Sequence, residues 1–212
     1  MIVAQTDRCR DILRSLGRAG KDDLHLRTAP LTALVEEAAE PHVDRGKRIH
    51  FDHAAGEGDI LSQPNVLRRP EVIHGLRNLI QNAVDFAREN VWVESSWTDN
   101  TITLRIMDDG HGYPPHLLGR IGDPFMRRRA PAGDPQRPGY EGMGLGLFIA
   151  KTLLERSGAD LSFANGSDSF KSQQSHSPRT GAFVEVTWER DAIAAPTGAE
   201  STALGENQPI QA

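Results

Sequence analysis

Hydrophobic positions recur with two periods along this chain and divide it into helices and strands. Between residues 4 and 17, Cys9, Ile12, Leu13 and Leu16 fall at i, i+3, i+4 and i+7, one helical face, while Arg8, Arg10, Asp11 and Arg14 occupy the rest. Gly17 and Gly20 end the pattern. A lone helix of this length is marginal in water, so its apolar face expects a partner, a second copy or an upstream helix. A second helix is predicted from Pro30 to about Asp44, with Leu31, Leu34, Val35 and Ala38 inward. Lys47 to His53 reads as a short strand. The strongest helical pattern runs from Pro70 to about Arg88, with Val72, Leu76, Leu79, Ile80, Ala83 and Phe86 as the buried stripe. Val91 to Thr98 and Thr101 to Met107 alternate as two strands around an Asp99-Asn100 turn. A helix follows from Gly142 to about Ser157, and Asp160 to Ala164 and Ala182 to Trp188 close the pattern as strands.

Three stretches break the periodicity. The segment from Pro124 to Glu141, with Pro131, Pro135 and Pro138, reads as a loop, as does the Ser- and Gln-rich segment from Gly166 to Arg179. Residues 191–212 are small, polar and poor in apolar groups, and are expected to be a disordered tail.

Composition narrows the class. With 212 residues, 38% hydrophobic and 25% charged, the chain can build one core with appendages. No apolar run approaches the ~18 residues of a membrane helix. The net charge of -5 and the absence of a basic stripe argue against nucleic acid as a partner. Cys9 is the single cysteine, so an internal disulfide or a multi-cysteine zinc site is excluded, and a reducing cytosolic compartment is expected.

Three groupings carry chemistry. Asn78 and Asn82 stand at i and i+4 on one helix face. Neutral amide oxygens suit Mg²⁺, which keeps waters and substrate phosphates as its other ligands. Asparagine is a poor mid-helix residue, although surface positions would also accommodate the pair. Asp108-Asp109-Gly110-His111-Gly112 follows a strand, so a carboxylate and a close-approaching backbone can meet a flat ligand; a plain turn fits the same residues. Gly142-Met143-Gly144-Leu145-Gly146-Leu147 opens a helix, where N–H groups and the helix dipole favour phosphate. It is neither a Walker loop nor a Rossmann fingerprint. The order of the three describes a nucleotide pocket with a lid.

In that order the motifs resemble the ATP-binding catalytic domain of sensor histidine kinases, the GHKL group that shares the Bergerat fold with gyrase B, Hsp90 and MutL. The resemblance covers residues 30–190. It implies an α/β (α+β) two-layer sandwich, a mixed β-sheet with helices on one face. It implies ATP and Mg²⁺ as cofactors, with Asn82, helped by Asn78, holding the metal. Asp108, with Gly110 and Gly112, would read the adenine amino group. Phe125 and Arg127 match the F box, and Gly142, Gly144, Leu145, Gly146 and Leu147 match the second glycine box at the end of the lid. Ser157-Gly158 and Gly181 sit where the weaker glycine motifs usually lie. Residues 1–20 would end a dimerisation helix.

The chain also departs from the pattern. Asp85 stands where the family often has Lys or Arg within reach of phosphate, with Arg127, Arg128 and Arg129 as substitutes. Ala182 replaces a common Thr. None of the eight histidines has the context of a phosphoacceptor, which is therefore expected upstream of Met1. The first turns resemble redox-responding kinases of the RegB/PrrB type, which makes Cys9 a redox candidate beside Arg8 and Arg10; it equally suits a packing position. The implied function is transfer of the ATP γ-phosphoryl group to a histidine outside this chain and onward to a response regulator. The parent would be a membrane-anchored homodimer and this portion cytoplasmic. A stand-alone anti-sigma-type serine kinase and a GHKL clamp ATPase are the alternatives. Asn78, where those ATPases usually carry Glu, speaks against the clamp.

Overall fold

A computed structural model describes residues 28–56, 62–123, 145–166 and 179–195. In chain order the elements are β1 (Thr28–Pro30), α1 (Leu31–Ala39), β2 (Arg48–Ala55), β3 (Asn65–Leu67), α2 (Pro70–Phe86), β4 (Asn90–Trp97), β5 (Thr101–Asp108), α3 (Gly146–Arg156), β6 (Ala159–Asn165), β7 (Ala182–Glu189) and α4 (Arg190–Ile193). Five strands form a mixed sheet in the order β2-β4-β5-β7-β6, with β2 parallel to β4 and the other pairs antiparallel. β1 and β3 form a separate antiparallel pair.

Strand alternation sorts the two faces of the sheet. Val91, Val93, Trp97, Ile102, Leu104, Ile106, Val184, Val186 and Trp188 point into one core with α1, α2 and α3. Each fully buried side chain of this size stabilises the fold by roughly 1.5–3 kcal/mol relative to exposure. The other face is mainly polar, with Arg105 paired to Glu185 at 2.7 Å. One cross-strand row there is apolar: His50 stacks on Trp92, whose partner Met107 lies beside Phe183, and the Arg179 guanidinium caps the Trp92 ring at 5.5 Å.

The structure corrects several expectations. The helix expected to reach Asp44 ends at Ala39 and tightens into a 3-10 turn, Glu40–His42, because Pro41 brings no N–H to the ladder. His42 is buried there with neither ring nitrogen paired, and burial and Arg45 lower its pKa. Phe86 is 42% exposed rather than buried, and Val84 takes its place in the core. Residues 191–195, expected within a disordered tail, are structured: α4 follows Glu189, Ile193 is buried, and Ala194 bridges to Val66. The Arg190 N–H donates to the Asn100 carbonyl and the Ala195 N–H to the Asn65 carbonyl, so hydrogen bonds hold this turn along with Ile193. The helix at 4–17 lies outside the described residues.

The topology gathers several termini at one end of the sheet. β5 ends at Asp108 opposite Val91, so Asp108 lies beside the start of β4 and hence beyond the C-terminus of α2. β6 runs parallel to β5 through β7 and ends there too. Helix α3, which precedes β6 with a short turn, therefore starts at this end and runs antiparallel to α2. Gly75 permits close packing of the two helices, since a Cβ there would lie 2.5 Å from Leu154 Cγ.

Candidate nucleotide site

The residues at this end build a site from the backbone outward. Asp108 is the last residue of β5 and is 1% exposed. Its Oδ1 accepts the Gly110 N–H at 2.8 Å and the Ala182 N–H at 3.2 Å, and its carbonyl accepts the Gly181 N–H at 3.0 Å. A Cβ on Gly181 would overlap that carboxylate, and one on Gly110 would overlap the Phe86 carbonyl oxygen. Glycine at both positions follows from packing.

Asp109 does a different job. Its Oδ1 accepts the N–H groups of Arg88 (2.7 Å) and Glu89 (3.0 Å), and its Oδ2 accepts those of Asn90 from backbone (3.1 Å) and side chain (3.0 Å). Burial alone would raise its pKa. The Asn90 side-chain bond and the backbone bonds from Glu89, Asn90 and Arg88 together lower it. Asp109 thus ties the turn after α2 to the loop after β5, while Asp108 faces the opposite way on the pleat.

On α2, Asn78, Asn82 and Asp85 share a polar stripe opposite the buried one. The Asn78 Nδ2 donates to the His74 carbonyl at 2.8 Å. Asn82 is partly exposed, four residues before Phe86 and so roughly 6 Å along the axis from it. Asp85 pairs with Arg45 at 2.7 Å, so this carboxylate is neutralised from the connection between α1 and β2. Among the described residues no group of three or more His, Cys, Asp or Glu could hold a metal. The amides of Asn82 and Asn78 instead fit Mg²⁺ held mostly by water and ligand phosphates.

Leu145 and Leu147 are partly buried and Gly146 is exposed at the start of α3, with nothing within 4 Å of a Cβ built on Gly146. Phe125, Arg127, Gly142, Gly144 and Cys9 lie outside the described residues. Ser157 and Gly158 do not join the site. They close α3 at the far end, where Ser157 Oγ accepts the Trp188 Nε1–H at 2.9 Å and Gly158 has φ +91°. The Gly181 expectation, by contrast, lands against Asp108.

A sequence-family model of histidine kinase-, DNA gyrase B- and HSP90-like ATPases matches residues 68–192, the span that holds both asparagines, Asp108 and the start of α3. The chain belongs to this ATPase family. Its similarity to Sensor histidine kinase RegB of Cereibacter sphaeroides is 62% identity over all 212 residues, and the chain spans 45% of that relative's length. Among solved structures, the mycobacterial sensor histidine kinase MprB superimposes with a TM-score of 0.55 at 19% identity, covering 76% of this chain and 95% of that one. Full-length ShkA, solved in complex with AMPPNP, gives 0.54 at 21% identity, covering 88% of this chain and 35% of that one. These last two likenesses establish the ATPase-family fold, a mixed sheet with its helices on one face.

The sequence motifs assigned a role neither to Asn165 nor to Asp109. Asn165 ends β6 against the glycine loop, and Asp109 braces that loop from below. Neither carries a local signal, because their partners lie 52 and about 20 residues away.

Proposed function

We propose that this chain is the ATP-binding catalytic domain of a two-component sensor histidine kinase of the RegB type. It passes the γ-phosphoryl group of ATP to a histidine on the kinase's own dimerisation domain, for relay to a response regulator. The carrying observation is the meeting, at one end of the sheet, of the α2 amide stripe, the fixed Asp108 loop and the N-terminus of α3. A carboxylate with a pinned oxygen and glycine neighbours suits an adenine edge. The amides of Asn82 and Asn78 suit the metal that accompanies the phosphates. N–H groups at the helix start suit an anion. Chemistry of this kind needs positioning and charge neutralisation more than covalent participation. Exposed Phe86, one turn beyond Asn82, offers an apolar surface beside the base.

Calorimetry tests the assignment. Asn82→Ala should weaken Mg-ATP on the order of 30–100-fold, the scale of one lost strong polar contact. Asp108→Asn should weaken ADP by a similar factor with or without metal. Unchanged affinity in both variants removes the assignment. With γ-labelled ATP, the chain alone should stay unlabelled and a separately supplied RegB-type dimerisation domain should acquire acid-labile label.

The kinase's wider setting belongs to the same reading. No helix among the described residues is long and apolar enough to cross a membrane, and we place this portion on the cytoplasmic side of an anchored homodimer. Cys9 would act as its redox-responsive thiol.

A further inference from the structure

Asn165 is the last residue of β6 and is 9% exposed. Its side chain makes a two-bond clamp on the backbone of one loop residue. Oδ1 accepts the Tyr113 N–H at 2.6 Å, and Nδ2 donates to the Tyr113 carbonyl at 2.9 Å. The arrangement reproduces one step of a β-ladder with an amide side chain in place of a strand. Gly112, just before Tyr113, has φ +70°, and a Cβ there would lie 2.5 Å from Asn165 Oδ1. The clamp therefore closes only over glycine. Phe163, two residues earlier on the same face of β6, meets the Tyr113 ring edge-on at 6.1 Å. The adjoining backbone completes the circuit: the Gly166 N–H donates to the Gly181 carbonyl at 2.9 Å, and the Gly181 N–H to the Asp108 carbonyl at 3.0 Å.

The glycine loop is thus fixed at its near end by Asp108 and at its far end by Asn165. We propose that Asn165 is a positioning residue for base selection, holding Gly112 and Tyr113 in register with Asp108 so that the site distinguishes the adenine edge from other purines. This rests on the reading of Asp108 as the group that meets the base. Hydrogen-bond strength falls steeply with misalignment, and a recognition edge tolerates about 0.5 Å of drift. Without the clamp the loop keeps its covalent path but loses that register. The phosphate end, built on α2 and α3, keeps its own supports. The cost should fall on discrimination rather than on nucleotide binding in general.

The test compares ADP with inosine diphosphate, whose base has a carbonyl oxygen where adenine has the amino group, on the 212-residue chain. The wild type should prefer ADP. Asn165→Ala should weaken ADP about 10-fold and inosine diphosphate less than about 2-fold, with a folded circular-dichroism spectrum. Asn165→Asp supplies a second measurement, useful also where the alanine variant fails to fold. At pH 8 its carboxylate repels the Tyr113 carbonyl and the ADP preference should be low. Burial against the Tyr113 carbonyl disfavours this carboxylate and raises its pKa, so towards pH 5 the acid takes up its proton, regains one donor and one acceptor, and the preference should return towards that of the wild type at the same pH. Equal losses for both nucleotides in Asn165→Ala, or no recovery in Asn165→Asp, overturn the inference. A wild type that binds both nucleotides alike overturns the reading of Asp108 and this inference with it. A discriminating wild type beside an equally discriminating Asn165→Ala overturns this inference alone.

Discussion

Two glycine-bearing segments meet at the same end of the sheet, and they are glycine for opposite reasons. In the loop after β5, Gly110 faces the Phe86 carbonyl, Gly112 faces Asn165, and nearby Gly181 faces Asp108. The protein itself leaves no room for a side chain at these three positions. At the start of α3, a Cβ on Gly146 meets nothing within 4 Å among the described residues. No described residue asks for glycine here, and we attribute the requirement to the ligand proposed to approach the helix N-terminus. A motif glycine is thus evidence of a ligand only where packing fails to explain it.

Paired substitutions break this comparison most sharply. Gly110→Ala forces a methyl group against a backbone oxygen that cannot rotate away, 2.9 Å from Asp108 Oδ1 as well. The expected loss is about 3 kcal/mol or more, with nucleotide binding lost along with the fold. Gly146→Ala should leave stability within about 1 kcal/mol of wild type and weaken nucleotide binding alone. Urea melts of both variants beside calorimetry decide it. Two equally stable variants would remove the distinction.

Asp109 sharpens it at a smaller scale. Asp109→Ala leaves the N–H groups of Arg88, Glu89 and Asn90 without their acceptor, and should cost about 3 kcal/mol. Nucleotide affinity of the folded fraction should change little, since this carboxylate braces the loop from outside. The pH dependence has a definite sign. Hydrogen bonds hold the folded-state pKa below the ordinary carboxylate value. The contribution is therefore fully present above the unfolded pKa of about 4 and is lost as pH falls through the folded value. Melts of wild type and Asp109→Asn should draw together as pH falls below the unfolded carboxylate value of about 4. A gap that stays constant or widens on acidification contradicts the assignment.

Much of this architecture is legible in the sequence because it follows local periods. Val72, Leu76, Leu79, Ile80 and Ala83 mark α2 by spacing, and the alternation around Asp99-Asn100 marks β4 and β5. Three-residue strands such as β1 and β3 contain too few positions to show any period. Asp108 and Asp109 are adjacent acids, and only the pleat, which turns them to opposite sides, separates the one proposed to meet the base from the brace. Phe86 matched the apolar stripe of α2 yet is the last residue of the helix and stands 42% exposed. Asn165 is silent for a different reason: its meaning is the backbone of Tyr113, and backbone leaves no mark on a sequence.

The smallest effect on stability carries the clearest sign. Asn82 stands in the interior of α2, and no side-chain hydrogen bond joins it to another described residue. Asparagine there is less favourable than alanine by roughly 0.5 kcal/mol, because its side chain competes for backbone bonds. Asn82→Ala should therefore raise stability by about that amount while weakening Mg-ATP. Asn78→Ala gains the same propensity but loses the bond to the His74 carbonyl, so its net change should be near zero. A residue whose removal steadies the fold and damages binding is retained for its ligand, the usual trade at functional positions. Thermal melts in the absence of nucleotide measure the first half and calorimetry the second. If Asn82→Ala instead destabilises the free chain by a kilocalorie or more, Asn82 has a structural partner and the proposed metal site loses its principal member.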